Sequence, residues 1–328
     1  KLDHKRTHMK PSPNVLHRLS KARAILSEMT ARGLGNTNLR HEAMLNIFEV
    51  QITKSVIYGI ANVDLTTADK GALDNILADA IRSAMQWKEK GKEDNTWVIL
   101  ESNLIPPTVA TQMDEVATWI RAAQQKMNPI IQTIFKQDMQ LLTSVITTCN
   151  SWGTTIERLK RSRKGEMYKN MRTAYIRNVK MKPTKHEHNM KCTKWELGIH
   201  LKGTAITRTA IHQNQAGALM RLRSILRHGH PTEYQQCAFC TNGQLHTAIH
   251  VIAHCRYEST IRTRTSIMNT ATNPITTYLT NMTNIKLAAI LGGPPPETLN
   301  LMQRKQACEI ALAIFDTSPL FKHEHSEL

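Results

Sequence analysis

Acidic residues are scarce in this chain. Its 328 residues hold 26 Asp plus Glu against 43 Lys plus Arg, a formal net charge of +17 and a pI near 9.8. Such an imbalance works against a compact fold through self-repulsion unless a polyanion neutralises it, which points to nucleic acid ahead of an anionic membrane as the partner. No apolar run of about twenty residues occurs, so no membrane span is expected. The most apolar stretch, Leu141 to Ile156, is broken by threonines, Asn150 and Gly153. Six cysteines, three of them scattered singly at Cys149, Cys192 and Cys308, imply no disulfide framework and read as reduced and intracellular. A Walker loop, a Gly-rich dinucleotide loop and a GxSxG nucleophile turn are all missing. The first residue is Lys1 rather than Met, which suggests a removed presequence, an upstream domain or further residues beyond this stretch.

What is present is helical periodicity. Val15, Leu16, Leu19, Ile25, Leu26 and Met29 recur at helix spacing, as do Leu39, Leu45, Phe48, Ile52, Val56 and Ile57. Thr66 followed by Asp69 predicts a capping box opening a third helix through Leu73, Ile76, Leu77, Ala80 and Ile81. A break is expected at 88–95. Pro106-Pro107 opens a helix with Val109, Met113, Val116, Ile120 and Met127, and Asn128-Pro129 starts another carrying Ile130, Ile134, Leu141, Leu142 and Val145. Period-two alternation is rare. The expected fold is mainly α: a helical bundle over 1–150, a basic segment and linker over 151–190, and a small α-rich domain over 191–328. In that last domain a helix with Ala216, Leu219, Leu222, Ile225 and Leu226 is followed by Thr- and Asn-rich sequence and a closing helix with Leu299, Met302, Ile310, Leu312 and Phe315. The tail after Pro319 is expected to fray.

The basic segment is the electrostatic centre. Arg158, Lys160, Arg161, Arg163, Lys164, Lys169, Arg172, Arg177, Lys180, Lys182 and Lys185 stand there against a single acid, Glu166. A solvated helix face normally balances its charges, so this one is read as a phosphate-contacting surface, with the interleaved Tyr168 and Tyr175 able to stack on exposed bases.

The sharpest chemical signal is Cys237-Ala-Phe-Cys240 followed by His250 and Cys255. Thiols at i and i+3 curl round one ion, and a His and Cys five apart sit about one helical turn from each other, so the four can close a tetrahedron round zinc. His250 leaves room for the turn back to Cys255, with His246 and His254 as the other candidates for fourth ligand. A disulfide, a redox CxxC or a chance cluster of buried thiols are the competing readings. A catalytic zinc with bound water is the poorest fit: His186-Glu187-His188 is present, yet Cys237 follows Gln236 where a deaminase needs Pro.

Four features, in shared order, resemble the C-terminal part of reverse transcriptases from non-LTR (LINE-type) retrotransposons. Leu2 to His8 looks like the segment after the palm, and Lys54 to Gly59 is similar to the thumb helix ending in Tyr-Gly. Leu219 to Gly229 before the knuckle looks like the Leu-Arg-rich helix before the family's Cys-Cys-His-Cys finger, and Ile290-Leu291-Gly292 with the final helix looks like its last element. The resemblance covers nearly the whole chain, with only the knuckle specific by itself. The Cys240–His250 spacing is slightly long, and His246 stands where the family often has an acid.

The resemblance implies a thumb-like bundle, a zinc knuckle, and Arg221 and Arg223 as further RNA contacts. The family's palm chemistry rests on paired carboxylates, and its nuclease relatives carry Pro-Asp; neither Asp-Asp nor Pro-Asp occurs here. No catalytic residue and no enzyme activity are therefore expected. The expected role is a non-catalytic RNA-binding component of a ribonucleoprotein, a ribosome and especially a mitochondrial one, with structured RNA and neighbouring proteins as partners, in the mitochondrial matrix or the nucleus. The alternative is a fragment or subunit of an active retroelement enzyme that grips the template.

Overall fold

The computed structural model describes residues 11–33, 41–58, 60, 65–84, 95–102, 104–124, 128–163, 165–179, 213–229, 231–291 and 298–318. The fold is mainly α. Every extended element among these residues is a helix, and the sole β pairing among them is an isolated antiparallel bridge between Gln236 and Leu245. No helix among them is long and apolar enough to cross a membrane.

Two compact units are present. The first contains α1 (Pro13–Ala31), a π-helical segment (Phe48–Thr53) leading into α3 (Lys54–Ile57), most of α4 (Thr67–Ala84) and the five helices between Pro107 and Asn178, while most of α2 (His41–Ile47) falls in the second. The capping box forms as read: the Thr66 hydroxyl accepts from the Asp69 N–H at 3.1 Å, and the Asp69 carboxylate accepts from the Thr66 N–H at 3.0 Å. The same carboxylate also accepts the Ser12 N–H at 2.6 Å, so one buried acid serves the starts of both α1 and α4. Asp74 does likewise for α6 (Pro107–Ala123), accepting from the Thr108 N–H at 3.0 Å and its hydroxyl at 2.8 Å. Pro107 occupies the first helical turn, where a missing N–H costs nothing.

The helix expected across 130–145 is two: α7 (Pro129–Gln137) and α8 (Met139–Ser151). The break falls at Asp138, whose side chain accepts from the Leu141 N–H at 2.8 Å and so starts a new helix. Beyond α8 the chain turns at Gly153, φ +66°, where an added Cβ would lie 2.6 Å from the Asn178 side chain. Thr155 then caps α9 (Ile156–Lys160), and α10 (Glu166–Asn178) follows. Their apolar sides join a core of Met113, Val116, Ile120, Val145, Trp152, Leu159 and Met171. The segment expected to stand apart as a basic linker is thus, up to Asn178, part of the first unit.

The second unit holds α5 (Asn95–Glu101) and the helices between Gln213 and Phe315. α5 escaped the sequence reading; its signal is the short run Trp97 to Leu100, all four buried. α11 (Gln213–His228) and α16 (Leu301–Phe315) bury Leu219, Leu222, Leu226, Ile310, Leu312 and Phe315 in one cluster. Met302, expected in that face, is 83% exposed. The Thr- and Asn-rich stretch is three helices, α13 (Glu258–Met268), α14 (Asn273–Thr280) and α15 (Asn284–Ile290). Polar residues there start helices rather than form loops: the Thr283 side chain caps α15, as Asn300 caps α16 through a capping box with Gln303. The Leu2–His8 segment, Gly59, the 183–190 linker, Cys192, Gly292–Pro296 and the tail after Pro319 lie outside the described residues.

Candidate metal centre and cationic face

The centre begins with a short hairpin. The Cys237 N–H donates to the Gln244 carbonyl and the His246 N–H to the Gln235 carbonyl, both at 2.8 Å, with the Gln236–Leu245 bridge between them. Gly243 turns the chain at φ +65°, a conformation costly for any residue with a Cβ. Cys240 closes back on Cys237 through its N–H, 3.2 Å from the Cys237 carbonyl. The Thr247 hydroxyl accepts from the His250 N–H at 3.1 Å and starts α12 (Ala248–Ala253), which places His250 in the first turn. The Cys255 N–H then donates to the His250 carbonyl at 2.6 Å.

The result is a compact donor set. The thiol sulfurs and one imidazole nitrogen of Cys237, Cys240, His250 and Cys255 all lie within 4.8 Å of one another, an arrangement able to hold a metal ion. Cys237 and Cys255 sulfurs are 3.8 Å apart, and the Cys240 sulfur is 3.3 Å from His250 Nε2. Two sulfurs at about 2.3 Å from one tetrahedral ion would be separated by about 3.8 Å, so the spacing suits a shared ion. It is far from the roughly 2.05 Å of a disulfide, and all five described cysteines are free.

The other histidines are settled by position. His254 is exposed and ends α12, while His246 is buried with Nε2 3.4 Å from the Ser318 hydroxyl, and neither belongs to the donor set. Burial pushes the Cys255 thiol up to about 12, with Cys237 and Cys240 crowding it, and pushes Cys237 up as well. Burial draws His250 down, assisted by His254 and Arg264, which keeps its imidazole neutral and able to ligate. Such thiols become thiolates only beside a cation, so ion binding here must displace protons.

Sequence reasoning missed the residue that braces this centre. Arg264 on α13 donates to the carbonyls of Val251 at 2.9 Å and of Ile252 and Cys255 at 3.0 Å, pinning the end of α12 and the Cys255 backbone together. Nothing in the spacing marks it, since its partners are main-chain oxygens. Two amide donors complete the surroundings: the Arg256 N–H lies 3.2 Å from the Cys240 sulfur and the Tyr257 N–H 3.5 Å from that of Cys255. The Phe239 and Tyr257 rings, 4.5 Å apart, lie beside them.

On the first unit, α9, α10 and the turn joining them present Arg158, Arg161, Arg163, Lys169 and Arg177 to solvent, with the acids Glu157 and Glu166. None of these five cations forms an ion pair among the described residues. Lys160 is half-buried over the Trp119 ring, and Arg172 is half-buried 3.1 Å from Glu49. Lys164, Lys180, Lys182 and Lys185 lie outside the described residues.

Four expected contacts need correction. Tyr168 is half-buried and donates to Asp114 at 2.6 Å, and burial with that bond pushes its phenol up to about 12. Tyr175 packs edge-on to Trp152, centroids 6.3 Å apart. Neither ring is set to stack on a base at the surface. Arg223 is buried in an ion pair with Glu101, and Arg221 is largely buried 2.7 Å from Asp316, because the Leu-Arg-rich helix α11 is a core element.

No family model, curated protein or solved structure matches the chain.

Proposed function

We propose that the chain is a non-catalytic RNA-binding component of a ribonucleoprotein, with a structural zinc knuckle at Cys237, Cys240, His250 and Cys255. The observation that carries the reading is the set of five exposed cations on α9, α10 and the turn joining them, without ion-pair partners among the described residues, on a chain of net charge +17. Packed helices hold Arg158, Lys169 and Arg177 in place, so phosphates meet these three without first ordering a loop, which lowers the entropic cost of binding.

Zinc suits the second unit because three thiols and one neutral imidazole are its preferred donors, and the sulfur spacing fits its bond lengths. Four protein donors leave no coordination position for water, and the chain has no Asp-Asp pair, so the centre stabilises rather than catalyses. Descent from a non-LTR reverse transcriptase is supported by the order of its parts: α3 with Tyr58 as its C-cap residue, then α11, the knuckle and the closing α16.

The experiment is RNA binding by the purified, zinc-loaded chain across a salt series, together with sequencing of RNA that co-purifies with the native complex. Binding that weakens steeply with salt, and ribosomal RNA in stoichiometric amounts, is the expected result. No binding at physiological salt overturns it. A retroelement transcript recovered with a palm-bearing partner replaces it with template grip in an active enzyme.

A further inference from the structure

A cavity of about 330 Å³ opens in the first unit between α10, α6 and the π-to-α3 segment. That volume lies at the small end of the roughly 300–1,000 Å³ typical of ligand sites, enough for one small group and too little for a helix or a duplex. Its lining includes the buried apolar side chains Ile57, Leu104 and Met113. Glu49 and Asp114 also line it, each already holding one internal donor: Arg172 lies 3.1 Å from Glu49 Oε1, and the Tyr168 hydroxyl donates to Asp114 Oδ1. Among the described residues the second oxygen of each carboxylate holds no donor and is left to accept from a ligand. Exposed Lys54 and Lys169 add positive charge to the same lining.

The backbone supports a site here as well. The segment that supplies Glu49 and Thr53 is a six-residue π-helix, a geometry less favourable than α that concentrates where function requires a displaced side chain. Lys169 belongs both to the cavity wall and to the exposed cationic set of α10, so a phosphate backbone on that face passes beside the cavity.

We propose that this cavity seats one unpaired nucleotide of the bound RNA, a claim that rests on the RNA-binding reading above. The base lies against Ile57, Leu104 and Met113. Its edge N–H groups donate to Asp114 and Glu49, which favours guanine with its adjacent N1–H and amino donors, and the flanking phosphates meet Lys54 and Lys169. Double-stranded RNA cannot offer such a base without extruding it, so the cavity selects bulges and loops.

The test compares the full, zinc-loaded chain on two RNA duplexes of equal length, one fully paired and one with a single bulged G. The wild type is expected to bind the bulged duplex about tenfold tighter, the order that burying one base supplies. Glu49→Gln with Asp114→Asn keeps an acceptor for Arg172 and Tyr168 but turns an amide donor toward the base. It should remove the preference, read as the ratio of the bulged-duplex to the paired-duplex affinity. Lys54→Ala, at an exposed position, should reduce the preference with no change in melting. Equal wild-type binding to the two duplexes overturns the cavity proposal alone, as does a preference untouched by all three substitutions. Binding to neither duplex overturns it together with the RNA reading.

Discussion

The Arg223 guanidinium is paired with the Glu101 carboxylate inside the second unit, with side chains 3% and 1% exposed. Burial draws the guanidinium down from its ordinary range and Glu101 opposes that shift. Removing one partner leaves the other charged and buried, so Arg223→Ala or Glu101→Ala should each cost about 3–5 kcal/mol. Replacing both with apolar residues of similar volume should cost far less. Urea unfolding of the two single variants and the double variant checks this, and a small loss in the singles would contradict the burial of the pair.

Metal content separates the histidines. Cys237→Ser and His250→Ala should lose the bound ion and melt the second unit, because ion binding and folding are coupled. His254→Ala should keep both, since His254 is exposed and outside the donor set. Elemental analysis with circular dichroism reads each outcome.

Acid should release the ion by the same logic. With Cys255 pushed up to about 12 and Cys237 also raised, binding displaces thiol protons, so the apparent affinity should fall about tenfold per pH unit for each proton displaced. A competition titration against a chelator at pH 6, 7 and 8 measures the slope. A flat profile would mean no thiolate forms.

Asp69 should make the first unit acid-sensitive. Burial pushes its carboxyl up, but hydrogen bonds from Ser12 and Thr66 together outweigh burial and hold it below its ordinary 3.8. The stabilisation is therefore complete above the unfolded value and lost as pH falls through the folded one. Asp69→Ala should cost about 0.5–2 kcal/mol at neutral pH for the lost cap, with the gap to wild type closing in acid. Unfolding midpoints at pH 7 and pH 3 test the convergence.

The cationic face should govern the salt dependence of RNA binding. Replacing Arg158, Arg161 and Arg163 by Ala removes three exposed charges, and at about 0.7 log per phosphate contact the slope should flatten by about 2. Arg223→Met with Glu101→Leu should leave the slope as it was, because that pair meets no solvent.

Helical class, the capping box at Thr66 and Asp69, and the four metal donors could all be read from the chain alone, because each depends on residues close in sequence. A helix turn places His250 near Cys255, and a tight turn brings Cys240 back to Cys237; neither needs knowledge of distant packing. What the residue pattern could not tell is which cations face water. Arg223 and Arg163 look alike as letters, yet one meets Glu101, more than a hundred residues away in the chain, and the other meets solvent. Likewise Tyr168 finds Asp114 and Arg264 finds the carbonyls beside the knuckle through packing alone. The sequence by itself determined the local elements and the donor set; only the tertiary structure decided which charges are surface and which are core, because burial depends on what other parts of the chain bring against a side chain.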